Sequence, residues 1–338
     1  MKTNKQDFIR KLDLLTPGLS EDKIIEQANC FIFQDGVIRT YNDELAIKLP
    51  VDNIGLNGAI PAKELYDLLN RIKADQIDVN ITETEFQIQA GRASAGIVVD
   101  SVIRLPINKP GEPKTWKKIK PEFFEALKFC QFAVAKNLVR PILTCVNVKK
   151  DKVEASDNLR AVDYKIPKLP IDPFVLPAKL IPTILKYDIT HIGLTNGWVH
   201  FKTTQGAFIA CRTFNEQYPD MEGAKIFDPD KNYKEFELPK NLKEVVERAL
   251  IFADDEMSNL ITVEVKKKTM TIKSQSLTGW YKEGIRNKNE SEDFTFHINP
   301  KLFLEILPKI TTCKVGSTKI HFEHEKGMWR HVITLGFK

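Results

Sequence analysis

The sequence predicts an α+β protein of three tandem domains, each a doubled unit of one helix followed by antiparallel strands. The first observation behind this is an outline written three times: "IPAKELYDLLNRIKADQIDVNITETEFQIQAG" from Ile60, "LPAKLIPTILKYDITHIGLTNGWVHFKTTQG" from Leu176 and "INPKLFLEILPKITTCKVGSTKIHFEHEKG" from Ile298. The openings lie 116 and 122 residues apart, and Lys63, Lys179 and Lys301, each at the fourth letter, precede Gly91, Gly206 and Gly327 by 28, 27 and 26 residues. Such a period exceeds the roughly 20–50 residues of solenoid repeats and suffices for a domain with its own core. The second observation is alternation: segments such as "ITVEVKKKTMTIKS" place apolar residues at every other position, as a strand buried on one face requires.

Each period carries an earlier half with the same grammar. "QDFIRKLDLL" precedes "CFIFQDGVIRTYNDELAIKLPV", "KPEFFEALKFCQFAV" precedes "TCVNVKKDKVEASDNLRAVDYKI", and "PKNLKEVVERALIF" precedes "LITVEVKKKTMTIKSQ". In the second of these, Phe123, Phe124, Leu127, Cys130 and Val134 recur at helical spacing. Pro-rich joints, "LPINKPGEPKTW" and "FDPDKNYKEFELPK", place the domains at 1–117, 118–234 and 235–338.

Composition is that of a globular protein, with 42% hydrophobic and 28% charged residues, which excludes disordered and fibrous classes. No apolar run approaches the roughly 18 residues of a membrane helix, and "MKTNKQDFIRKLDLL" reads as an amphipathic helix rather than a signal peptide. Five scattered Cys (Cys30, Cys130, Cys145, Cys211, Cys313), never spaced as CxxC, read as reduced core thiols of a cytoplasmic protein. The net charge of +5 permits an acidic partner without demanding one.

Chemistry-bearing patterns are few. Neither a phosphate loop of the G-x-x-x-x-G-K-[ST] type nor a G-x-G-x-x-G is present. His321 and His324, with Glu323 and Glu325, are the nearest approach to a ligand cluster, but strand alternation sends the two imidazoles to opposite faces. Asp254, Asp255 and Glu256 are neighbours in one turn, whereas two-metal chemistry needs carboxylates converging from separate elements. "GWYKEG" pairs no nucleophile with a base. The expectation is no catalytic residue, no cofactor and no metal.

Three doubled domains in this order resemble the bacterial-type DNA sliding clamp, the beta subunit of DNA polymerase III, over essentially the full chain. "VEASDNLRAVDYKI" is similar to the family's "ATDGHRLA" segment, "AKNLVRPILTCV" to the loop and strand before it, and "CRTFNEQYPDME" to "srLidG-FPDy"; "VLPAKLIPTIL" and "FHINPKLFLEIL" are similar to second helices of the middle and last domains. Asn158 stands where the family usually has Gly, the C-terminus "HVITLGFK" lacks the usual Pro, and the net charge is positive. These departures fit a divergent member of phage or mobile-element type.

The resemblance implies helices lining the hole of a head-to-tail ring dimer that encircles duplex DNA without reading sequence, while a replicative polymerase and a clamp loader bind through short peptides. The repeated Lys63, Lys179 and Lys301, in the first turns of predicted helices where a cation opposes the macrodipole, then face phosphates together with Arg71 and with Lys136, Asn137 and Arg140 of the middle-domain loop. Other candidate lining cations are Lys73, Lys120, Lys128, Lys186 and Lys309. The partner-peptide groove corresponds to Ser156, Asp157, Asn158, Leu159, Arg160, Ile226, Val332, Ile333 and Leu335, with Leu159, Ile226, Ile333 and Leu335 as apolar wall and Arg160 as polar edge. The dimer contact corresponds to Ile251 and Phe252 on one side and the strand around Ile97 on the other. The rival readings are a non-ring interaction protein that kept this fold, and a DNA-modifying enzyme built on it.

Overall fold

The computed structural model describes every residue except Met1, Lys23, 52–54, Leu56, Glu83, 254–258, 289–291 and Lys338. Asp254, Asp255 and Glu256 therefore lie outside the described residues. The fold is α+β, and the chain divides into two compact units: Met1–Pro121 with Leu169–Asn215, and Glu122–Lys168 with Glu216–Lys338. The α-helices are α1 (Lys5–Asp13), α2 (Ala62–Arg71), α3 (Pro121–Cys130), α4 (Ile181–Ile184), α5 (Leu242–Leu250) and α6 (Pro300–Ile306).

In the first unit, α1 buries Phe8, Ile9 and Leu12 and α2 buries Ala62, Leu65 and Leu69, the i, i+3, i+4, i+7 stripe of a one-sided helix. Asn4 caps α1, its Oδ1 accepting the Asp7 amide at 3.1 Å. Phe86 packs between Phe8 and Phe33, at 6.4 and 6.0 Å between ring centres. One antiparallel sheet runs Lys2–Asn4, Gln76–Ile81, Glu85–Ala90, Ala93–Val98. The other places the group Gly58–Pro61, Cys30–Gln34, Val37–Tyr41, Leu45–Pro50 beside Phe208–Arg212, Trp198–Thr203, Ile189–Thr195 and Lys117–Lys118. The two groups meet where Ile47 pairs with Ile209 and Ala46 with Ala210.

The second unit repeats this scheme. Cys145–Val148, Lys152–Ser156 and Arg160–Lys165 continue into Trp329–Thr334, Lys319–Glu323, Thr312–Val315 and Lys234–Glu237, and the join pairs Ala161 with Val332 and Val162 with His331. Its other sheet runs Trp280–Arg286, Thr269–Gln275, Ile261–Lys266, Phe294–Ile298. α3 and α6 cover one face of the larger sheet, with Phe129 4.8 Å from the Trp329 ring and Phe303 6.0 Å from Phe322. All five cysteines are buried and none forms a disulfide among the described residues, and no helix among those residues is long and apolar enough to cross a membrane.

Three local expectations need correction. The stripe of α3 ends at Cys130, so Val134 lies beyond the helix and Ala126 joins the buried face in its place. Lys179 sits in a 3₁₀ turn, Ala178–Leu180, ahead of the four-residue α4. There Pro182 lacks the amide that would bond to the Ala178 carbonyl, so no long helix forms from this end. His324 follows the end of its strand at Glu323, so both histidines border one cleft of about 340 Å³. Among the described residues, however, no three His, Cys, Asp or Glu side chains gather closely enough to hold a metal.

Three buried histidines tie stability to pH. Burial lowers His200 and His321 to about 4 and drives His331 well below its ordinary value, the last also facing the charges of Arg160 and Lys309. Neither ring nitrogen of His331, packed against Phe132 and Phe322, has a hydrogen-bond partner among the described residues. The unfolded chain takes up these protons near 6.5, whereas folded His200 and His321 resist until about 4, so unfolding free energy falls as pH drops through that window. The slope is about 1.4 kcal/mol per pH unit for each histidine. Urea midpoints between pH 6.5 and 5, where most carboxylates stay ionised, are expected to flatten in His321→Gln; an unchanged profile would assign the slope to other groups.

Candidate functional site

The segment joining strands Lys152–Ser156 and Arg160–Lys165 forms a tight, fully bonded turn. Asp157 Oδ1 accepts the amides of Leu159 and Arg160, both at 3.0 Å, and Ser156 Oγ donates to the Arg160 carbonyl at 2.7 Å. The Ser156 amide donates to Tyr218 Oη at 2.9 Å. Asn158 takes φ of 75°, which a short polar side chain tolerates better than most. With its amide and carbonyl bonds satisfied locally, Leu159 projects outward, 52% exposed, and its carbonyl accepts the Thr334 amide at 2.8 Å.

Beside this turn lies a cleft of about 320 Å³ in the second unit. Ser156, Asn158, Leu159, Arg160, Ile226 and Val332 of the expected groove border it. Asp157, Ile333 and Leu335 do not: the Asp157 carboxylate is taken up by the bonds of its own turn, and the two apolar residues are buried in the core. Neighbours on a strand alternate faces, so Val332 and Thr334 on the cleft leave Ile333 facing inward. The wall also includes Arg140, Leu143, Pro219, Met221, Lys319 and Thr334. Pro219 and Met221 lie within "CRTFNEQYPDME", so that segment held a signal the sequence reading did not turn into residues. Lys319 Nζ donates to the Ile226 carbonyl at 3.0 Å and thereby pins the far wall.

Arg160 is not the polar edge of this cleft. It is 4% exposed. Its guanidinium bonds to Asp157 Oδ2 at 2.9 Å, to Glu305 on α6 and to the Phe132 carbonyl, and lies 5.2 Å from the Phe132 ring centre. This fork fixes the turn to α6 and to the 3₁₀ turn after α3, a geometry that a point-charge ammonium does not reproduce.

The candidate DNA-contacting residues Lys63, Arg71, Lys136, Asn137, Arg140, Lys179 and Lys301 are all exposed. Lys63 and Lys301 sit in the first turns of α2 and α6, while Lys179 pairs with Glu44 in the first unit. Lys136 approaches Glu305 at 4.0 Å, and Arg140 Nη1 donates to Asn158 Oδ1 at 3.2 Å. Of the candidate dimer residues, Ile251 is 73% exposed, Phe252 is half-buried against Gly279, and Ile97 is buried while its neighbour Val98 is open.

No family model matches the chain, and no curated protein matches it. Solved structures do. The DNA polymerase III subunit beta of Pseudomonas aeruginosa is similar at a TM-score of 0.84 with 14% identity over 100% of both chains. The beta chain from Streptococcus pneumoniae gives 0.85 with 16% identity over 100% of this chain and 99% of that one. A Bartonella birtlesii sliding clamp bound to griselimycin gives 0.84 with 14% identity and the same coverage. At these identities the likeness establishes a sliding-clamp fold along the whole chain.

Removing the Arg160 side chain leaves Asp157 and Glu305 without their shared partner. Arg160→Met is expected to lower unfolding free energy by about 3 kcal/mol, and Arg160→Lys to recover only part of it. Urea denaturation of the three proteins checks this, and equal midpoints for wild type and Arg160→Met would show that the fork does not hold the turn.

Proposed function

We propose that the protein is a DNA sliding clamp: a non-catalytic ring of two head-to-tail copies that encircles duplex DNA and tethers a replicative polymerase and other clients in the cytoplasm. Three domains, 1–117, 118–234 and 235–338, would each supply two helix-plus-strand halves. The observation that carries the reading is an unfinished series of strand pairs. Leu45–Pro50 pairs with Phe208–Arg212, and Arg160–Lys165 with Trp329–Thr334. By the repeat, the third pair is Trp280–Arg286 with Ala93–Val98, and each of these ends its sheet among the described residues. Long open edges invite pairing with another chain, and a second copy supplies the missing partner at both ends. Ile251, Leu277 and Trp280 are exposed beside one such edge and Val98 on the other, giving that contact an apolar component.

The cations suit a partner held by its backbone. Lys63, Arg71, Lys136, Arg140, Lys179 and Lys301, with Asn137 as a neutral donor beside two of them, would each contribute a phosphate contact without base readout. The Lys179–Glu44 pair is solvated on both sides and contributes little, which leaves Lys179 free to exchange carboxylate for phosphate. The cleft at Leu159 would take the short apolar-acidic peptides of polymerase and loader.

Trp280→Ser, or Ile251→Ser with Phe252→Ser, is expected to give folded monomer by light scattering; a variant set that stays dimeric would place the interface elsewhere. A peptide of the Gln-Leu-x-Leu-Phe type should bind in the micromolar range, about −8 kcal/mol. Leu159→Ala should weaken it at least tenfold with the dimer intact, and equal affinity would move the peptide site. Loaded onto nicked circular DNA by its cognate loader, the protein should persist at moderate salt and be released when the circle is linearised. Equal retention on circular and linear DNA would mean attachment by contact rather than by encirclement.

A further inference from the structure

The loop holding Lys136, Asn137, Leu138, Val139 and Arg140 stands out from the second unit, with Leu138 76% and Val139 85% exposed. Its cations nevertheless end on the framework of the peptide cleft. Arg140 borders the cleft and donates to Asn158 Oδ1 at 3.2 Å, and Lys136 reaches Glu305, the carboxylate that also holds Arg160. The matching turn of the first unit shows how weak this attachment is. There Asp43, at φ 69° as Asn158 is at 75°, uses a carboxylate to bind Lys109 at 2.7 Å and also Arg212. Both turns use a charged donor, but only the carboxylate adds an opposite full charge to the bond. The second turn thus holds an exposed arginine through a neutral amide, and a phosphate outcompetes that acceptor.

We propose that the Arg140–Asn158 bond is a releasable latch, through which nucleic-acid phosphate bound at the 136–140 loop weakens peptide binding in the cleft. The proposal rests on the clamp reading for the nature of both ligands. Phosphate takes Arg140, the loop loses its tie to the turn bearing Leu159, and the cleft loses the part of its wall that Arg140 supplies. By linkage, bound peptide must weaken phosphate binding at the loop by the same factor.

Titrating a labelled Gln-Leu-Ser-Leu-Phe peptide against the full-length protein, with and without a saturating short DNA duplex at low salt, tests this. The duplex is expected to raise the peptide Kd roughly fivefold, at the low end of ordinary coupling factors, and added salt should abolish the effect as it displaces the duplex. Asn158→Gly keeps the backbone conformation and removes the acceptor, so its peptide Kd should not respond to bound duplex. Asn158→Asp should strengthen the latch and shift the response to higher duplex concentration. If the wild type binds duplex and peptide independently, or if Asn158→Gly retains the full response, the latch is overturned and the clamp reading stands. If the wild type binds neither ligand, the clamp reading fails first and takes the latch with it.

Discussion

The pairing of strands that are far apart in sequence is the constraint on which the rest of this architecture depends. An unpaired strand edge leaves a row of amides and carbonyls that must be satisfied. Here the edge after one helix-plus-strands half is satisfied by a half from the following period, at Ile47 with Ile209 in the first unit and at Ala161 with Val332 in the second. Each such junction brings the turn before one strand against the strand of a later half. Any surface formed there is built from residues over a hundred positions apart, rigidly held in register by backbone bonds.

The two junctions put that surface to different uses, and a few side chains account for the difference. In the first unit Tyr41 and Trp198 pack with tilted rings 6.1 Å apart and join Leu105, Cys30 and Ile32 in a closed apolar cluster, with Ile25, Ile103 and Ile107 packed over it. In the second unit the matching positions are Ser156 and Lys319, too small or too polar to fill the same space, and a cleft remains. A second exchange lies on the helix side of the sheet. Leu45 is simply buried, whereas its counterpart Arg160 must be neutralised by Asp157 and Glu305. Burying that charge is a poor route to stability, but it fixes the turn that carries Leu159 in one geometry.

The legible part of this structure was the part governed by local periodicity. Stripes such as Leu242, Val245, Val246 and Ala249 announce a one-sided helix without knowledge of what they pack against. The failures have physical reasons. Pro182 breaks an apolar run that otherwise resembles its two sister helices, so Lys179 lies in a 3₁₀ turn. Ile333 and Leu335 are adjacent to cleft-lining residues in sequence but point into the core, because strand alternation separates neighbours that a motif treats as one set. Met221 and Pro219 reach the cleft only through the path of the segment before Ile226, which no pattern encodes. Arg160 looked like an edge charge because burial of an arginine depends on partners such as Glu305, far away in sequence.

The cations at the starts of α2 and α6 stand against the helix dipole. Lys63 and Lys301 stand in first turns, where the macrodipole disfavours positive charge by about 0.3–1 kcal/mol when exposed. α6 meets part of this through Asn299, whose Oδ1 accepts the amides of Lys301 and Leu302, whereas α2 begins at Pro61 with no side-chain cap and only Glu64 nearby in its first turn. In the isolated protein the helix dipole by itself therefore disfavours both charges slightly. A polyanion reverses the sign, because a phosphate is attracted by the lysine and by the same dipole that opposes it. In the proposed clamp each such site would gain little alone, and a few weak gains spread along the chain would hold a DNA backbone without arresting it.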